Sequence, residues 1–148
     1  MTRRTLATLS LLVTVLSLGA FAQARPTYKS ALATFVGAPL PKKLNDCRTC
    51  HTPAPSDDAS QVNGRTLNVF GQRLRKALPE LRAAKKRAGI SNRLEAVADD
   101  DSDGDGASNL LELLVGRFPG DSADTPSREE QEKARDAVAS FRRARSRE

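Results

Sequence analysis

The chain has 148 residues, with 24 lysines and arginines against 18 acidic residues, a formal charge of +6 and no tryptophan. That length fits one domain. So few large apolar residues make a thin core, of the kind commonly completed by a metal, a disulfide or a cofactor.

Residues 1–24 read as a secretory signal peptide. Arg3 and Arg4 precede a charge-free apolar run from Leu6 to Leu18. Ala20-Phe21-Ala22 and Ala22-Gln23-Ala24 then offer small-x-small cleavage sites. The apolar run is short for a membrane span, so no stable span is expected after cleavage. An uncleaved anchor is the competing reading. No cysteine near the cleavage site suggests a lipoprotein. The mature protein is expected in the periplasm or outside the cell.

Residues 25–148 are expected to form a single all-α domain. Tyr28 to Val36 could make a short helix ended by Gly37 and Pro39. Residues 52–64, with Pro53, Pro55, Ser56 and Gly64, read as a loop. Leu67, Phe70, Leu74, Leu78 and Leu81 recur at helical spacing. Pro79 is expected to divide that stretch into two helices, the second ended by Gly89. Ser91 is a candidate cap for a helix carrying Leu94 and Val97. Asn109 to Val115 reads as a helix stopped by Gly116. Ser127 and Glu130 have capping-box spacing ahead of a last amphipathic helix with Ala134, Ala137, Val138 and Phe141 on its apolar stripe. No repeat and no convincing strand pattern is visible.

Charge is segregated. Arg73, Arg75, Lys76, Arg82, Lys85, Lys86 and Arg87 form a basic stretch, and Glu95, Asp99, Asp100, Asp101, Asp103 and Asp105 an acidic one. Nucleic acid is not the expected partner, because the basic stretch has no interleaved aromatics and the N-terminus reads as an export signal. The stretch is either a solvated helix face or a docking surface, for an acidic redox partner or for haem propionates.

Both cysteines and the only histidine fall in Cys47-Arg48-Thr49-Cys50-His51. Two thiols at this spacing can reach the two vinyl groups of one haem, and the adjacent histidine is placed to ligate its iron. A tight disulfide, a thioredoxin-like redox pair and a zinc site compete with that reading. The redox pair would need a strand–helix alternation that is missing, and zinc a fourth ligand among cysteines or histidines. The motif resembles the attachment site of monohaem c-type cytochromes. The resemblance implies covalent haem c on Cys47 and Cys50, His51 as proximal ligand, a small helical cytochrome-c-like fold, and electron transfer. It fails at the distal side: the only methionine is Met1 and the only histidine is His51. The sixth position is left open to water, Tyr28, a lysine, Asn63 or Asn68, the N-terminal amine or a partner's group. A five-coordinate sensor or small-ligand binder is therefore an alternative. Peroxide chemistry is not favoured, because no histidine remains as a distal base.

Asp101 to Glu112 matches the twelve-residue EF-hand loop. Asp101, Asp103 and Asp105 stand at positions 1, 3 and 5, Gly106 at 6, Ala107 at 7 through its carbonyl, Asn109 at 9 through water and Glu112 at 12. Alternating hard oxygens on a tight loop suit Ca2+. Ser108 replaces the apolar residue of paired hands, and no second loop is visible. The stretch is similar to the single calcium loops of bacterial proteins related to thrombospondin type 3 repeats, which implies Asp121 or Asp124 as a further ligand. A lone loop argues for a structural ion that fixes the angle between the helices near Leu94 and Leu113. A solvated acidic turn is the bland alternative. A calcium-dependent structural or adhesive module without haem is a third reading of the whole chain.

Overall fold

The computed structural model describes residues 27–37, 40–53 and 62–146. The signal peptide expected over 1–24 lies outside the described residues. The chain is mostly helical with one small sheet. Helix α1 spans Thr27–Val36, followed by a 3-10 turn at Cys47–Thr49. Strands β1 (His51–Pro53) and β2 (Val62–Leu67) lead into α2 (Val69–Ala83) and α3 (Ile90–Ala96). Helix α4 spans Asn109–Val115, and α5 spans Arg128–Arg145 after a 3-10 turn at Ser122–Asp124. No helix among the described residues is long and apolar enough to cross a membrane.

The ribbon corrects the expectation of a strand-free chain. β1 and β2 pair antiparallel, His51 opposite Leu67 and Pro53 opposite Val62, with an irregularity between the two pairs. A three-residue strand is too short to display alternation, and Asn63-Gly64 inside β2 carries the composition of a turn. The pairing is decided by non-local backbone contacts, which local propensity does not encode.

Two helix boundaries also differ. Pro79 sits inside α2 and does not divide it. A proline removes one helical hydrogen bond and crowds the preceding turn. Here the apolar face of α2 outweighs that cost: Phe70, Leu74 and Ala77 are buried ahead of Pro79, and Leu81 is half-buried beyond it. The helix ends at a turn in which Lys85 takes a left-handed conformation. Gly89 then begins α3, as its N-cap, one residue ahead of the helix and two before the expected cap Ser91.

The other local signals hold. α4 is capped by Ser108, whose hydroxyl accepts from the Leu111 amide, and Gly116 stops it in the left-handed region at φ 79°. Ser127 and Glu130 form the reciprocal capping box of α5.

The core gathers Leu32, Phe35 and Val36 of α1, Leu44, then Phe70 and Leu74 of α2. Leu94 and Val97 from around α3 and Leu110 and Leu113 of α4 complete it. Helix α5 closes this core from the far end of the chain. Phe141 meets Phe35 edge to face with centroids 5.0 Å apart. The Arg145 guanidinium lies over both rings and pairs with Glu95 at 3.0 Å. Ala134 of α5 is buried, while Ala137 is exposed.

Candidate functional site

The Cys47–His51 segment is held by groups whose role the sequence alone hides. Asp46 caps the 3-10 turn: its carboxylate accepts from the Arg48 amide at 2.9 Å and from the Arg48 guanidinium at 3.1 and 3.0 Å. The Arg48 contact holds the Asp46 carboxyl below its usual range. Thr49, buried, donates its hydroxyl to the Leu44 carbonyl at 2.9 Å. Asn68 then clamps the segment from the α2 side. Its Nδ2 donates to the carbonyls of Arg48 and Thr49 at 2.9 and 3.2 Å, and its Oδ1 accepts from Gly71, capping α2. The Asn68 amide donates to the Cys50 carbonyl at 3.1 Å. These contacts use both ends of the Asn68 amide, so it is committed as a structural clamp and does not fit the role of iron ligand. Asn63, the other asparagine considered, has a side chain outside what is described.

Gly71 allows the segment to lie this close to α2. A Cβ at this position would lie 2.1 Å from the Cys50 carbonyl oxygen. Only a residue without a side chain fits there.

His51 sits at the start of β1, half-buried. Its Nδ1 lies 3.2 Å from the Thr66 carbonyl across the ribbon. A carbonyl only accepts, so Nδ1 carries the proton and the lone pair is at Nε2. A second partner that fixes the tautomer and ring direction is the usual support of a metal-binding histidine. Thr66 thus supports His51 in the candidate site, a role that the sequence did not single out. Its only signal would have been the ribbon.

Cys47, Cys50 and His51 share one wall of a cleft of about 820 Å³. Leu32 of α1, Leu44, Leu67, Leu74 of α2, and Ile90 and Leu94 of α3 supply the apolar walls. The cysteines are free thiols, Cys47 exposed and Cys50 half-buried. Burial, and then the neighbouring Cys47, pushes the Cys50 thiol up to about 11, so it is protonated at neutral pH. Lys29, Arg75 and Arg93 add three cations to the lining, against Asp46, which Arg48 already neutralises. Arg93 packs over the Tyr28 ring at 5.7 Å, and its buried Nε has no hydrogen-bond partner. A ligand suited to this cleft has a large apolar body and anionic groups. Haem, a flat apolar macrocycle with two propionates, has that chemistry.

The acidic loop is a second candidate site. Asp101 accepts from the amides of Gly104 and Gly106 at 2.7 and 2.9 Å, and both glycines have positive φ. Asp105 accepts from the Ala107 amide at 2.8 Å. This turn brings one oxygen each of Asp101, Asp103 and Asp105 within 4.8 Å of one another. Glu112 arrives from α4 and is fully buried. It stands outside that mutual spacing. Yet burial, followed by the charges of Asp103, Asp105, Asp101 and Asp124, pushes its pKa up to about 9. Both Glu112 oxygens, and one oxygen each of Asp103 and Asp105, are buried without a hydrogen-bond partner. Buried carboxylates left bare in this way are costly unless a cation compensates them. Hard oxygen donors in this number suit Ca2+.

Both ends of the Asn109 side-chain amide are engaged within the protein. Its Oδ1 accepts from Ser102 at 3.3 Å and its Nδ2 donates to the Val97 carbonyl at 2.6 Å. Ala107 is buried in the loop at the expected turn. Asp124, considered as an extra ligand, is spent elsewhere: it pairs with Lys43 and Arg117 and accepts from the Phe118 amide. Asp121 caps the 3-10 turn through Ala123. The identity of position 8 finds its reason in Ser108 as the α4 cap.

No family model, curated protein or solved structure matches the chain at a significant level.

Proposed function

We propose that the chain is an exported electron-transfer protein of c-type cytochrome character, with one covalent haem c and one structural Ca2+. Cys47 and Cys50 carry the haem through thioethers. Each thiol adds across a vinyl group, sulfur to one carbon and its hydrogen to the other, so attachment consumes no oxidant. His51 ligates the iron through Nε2. The observation that carries this reading is the cleft: its apolar walls enclose Cys47, Cys50 and a histidine whose Nδ1 is already engaged by Thr66. When bound, the haem supplies a one-electron couple. The protein's own work is to fix the histidine, exclude water with Leu32, Leu74 and Leu94, and offset propionate charge with Arg93 and its basic neighbours.

Calcium fills the Asp101–Glu112 loop in the same reading. Support comes from the bare, buried oxygens of Glu112, Asp103 and Asp105. The exposed cations of α2 and the turn after it, Arg75, Lys76, Arg82, Lys85, Lys86 and Arg87, would face an acidic redox partner. Arg73 does not belong to that set, because it is paired with Asp100 and Glu80.

A five-coordinate iron that binds a small ligand is the second reading. It is favoured by the absence of a methionine or second histidine after residue 51 and by the engagement of Asn68. Production with a cytochrome maturation system, followed by intact mass and oxidised and reduced spectra, tests both. A haem-sized mass gain is expected. A low-spin spectrum supports electron transfer, a high-spin one that binds carbon monoxide supports the second reading, and a haem-free mass overturns both.

A further inference from the structure

We infer that the calcium loop and the haem cleft are thermodynamically linked through α3, so that each ligand tightens the other's site. The inference rests on the function proposed above and goes beyond it. Helix α3 has seven residues and no side-chain cap on its first turn. A helix of that length does not hold itself in water. Its position is set by what it touches at either end.

At one end α3 is a wall of the cleft, through Ile90, Arg93 and Leu94. At the other it is fastened to the loop. The Val97 carbonyl accepts from Asn109 Nδ2 at 2.6 Å, and the Ala98 carbonyl accepts from the Leu110 amide at 2.9 Å. Asn109 also holds the entry of the loop, through Ser102 and through its own amide, which donates to the Asp100 carbonyl at 2.8 Å. One side chain therefore clasps both the exit of α3 and the turn that carries Asp101, Asp103 and Asp105. A second strut runs to the neighbouring wall. Arg73 of α2 bonds Asp100 at 2.6 Å, and α2 contributes Gly71, Leu74 and Arg75 to the cleft.

Without a cation, the mutual repulsion of Asp101, Asp103 and Asp105 and the unpartnered, buried oxygens of Glu112 oppose closure of the loop. A bound cation removes that repulsion and draws Glu112 toward the aspartates. Fixing the loop then fixes Asn109 and Asp100, and through them two walls of the cleft. Linkage is reciprocal, and couplings of this type amount to about 5- to 150-fold in affinity.

The test uses the Cys47→Ser/Cys50→Ser double variant, which can bind haem only reversibly. Haem affinity is measured by absorbance titration in saturating calcium and in chelator, and calcium affinity by calorimetry with and without haem. Haem affinity is expected to fall about fivefold or more in chelator, and calcium affinity to rise by the same factor when haem is bound. In the haem-free wild type, calcium is expected to slow the reaction of Cys50 with a thiol reagent. Equal affinities with both ligands demonstrably bound, together with an unchanged Cys50 rate, overturn the linkage and leave the two sites standing. Absence of calcium binding, or of haem both in this variant and in the wild type produced with a cytochrome maturation system, overturns the proposed function itself, and the linkage with it.

Discussion

Gly71→Ala separates two opposed effects by sign. Alanine in place of glycine is favoured by about 0.5–1 kcal/mol in a helix interior through backbone entropy, which is an upper bound for Gly71 in the first turn of α2. Against this, the new Cβ would lie 2.1 Å from the Cys50 carbonyl oxygen, 3.1 Å from its carbonyl carbon and 3.1 Å from Leu67 Cδ2. The obstruction is backbone, which cannot swing aside as a long side chain would. Forcing a group into a packed contact costs about 1–3 kcal/mol, and here relief also stretches the bond from the Asn68 amide to the Cys50 carbonyl. A net loss of about 1–2 kcal/mol is expected. For a domain of this size each kcal/mol moves Tm by about 3–5 °C. Thermal melts by circular dichroism of the haem-free protein should therefore show Tm lower by roughly 3–10 °C. Under the proposed function the yield of haem-loaded protein should fall as well, because the displaced carbonyl belongs to Cys50. A Tm that rises by a few degrees would show that propensity wins and that α2 does not press on the Cys47–His51 segment.

Four further outcomes are expected. Glu112→Gln should leave the calcium-free Tm within a few degrees, since the Glu112 carboxyl, pushed up to about 9, is already uncharged near neutrality and the amide is its isostere, but should abolish the rise in Tm on adding calcium; a retained rise would place the ion elsewhere. Asp124→Asn should lower stability by about 2 kcal/mol near neutrality, because Lys43, Arg117 and the Phe118 amide lose a charged acceptor. The Asp124 carboxyl is held below its usual range, so its contribution is present above the ordinary carboxylate pKa and vanishes as pH falls through the depressed value. Urea melts from pH 7 to pH 3 should thus converge for wild type and variant, and a constant gap would refute that assignment. In haem-free protein at pH 8, iodoacetamide should modify Cys47 well before Cys50, whose thiol titrates near 11; equal rates would contradict the burial of Cys50.

Signals carried by short stretches of chain were the legible ones. The clustering of Asp101, Asp103 and Asp105 was visible in sequence because the turn that gathers them is built by consecutive residues. The stop at Gly116 and the Ser127–Glu130 capping box are equally local. The wall opposite the Cys-x-x-Cys-His motif was only half readable: the Leu67–Leu81 face was visible as apolar periodicity, but its approach to Cys50 depends on Gly71 and Asn68. Asn68 looked like a spare polar group because nothing in sequence shows three backbone groups waiting for an amide. Pro79 misled because a proline penalty is local, whereas the burial of Phe70 and Leu74 that offsets it is tertiary. Asp124 looked like an extra calcium ligand through the resemblance to single bacterial calcium loops, yet Lys43 and Arg117 claim it.

The contacts around Cys47–His51 also differ from the rest in how far apart their partners lie along the chain. Asn68 reaches the Thr49 and Arg48 carbonyls over 19 and 20 residues, and Thr66 reaches His51 over 15. The seal between α5 and α1, by contrast, includes a bond from Arg145 to the Phe35 carbonyl across 110 residues. Contacts between near neighbours close with less loss of chain entropy and form sooner. Pulse-labelled hydrogen exchange should accordingly find the Asn68 and Gly71 amides protected before those of α5. The segment bearing the two thiols, with the hairpin that follows it, is then assembled while the far end of the chain is still open; under the proposed function, that is an interval in which a bulky, flat ligand can enter before α5 seals the core.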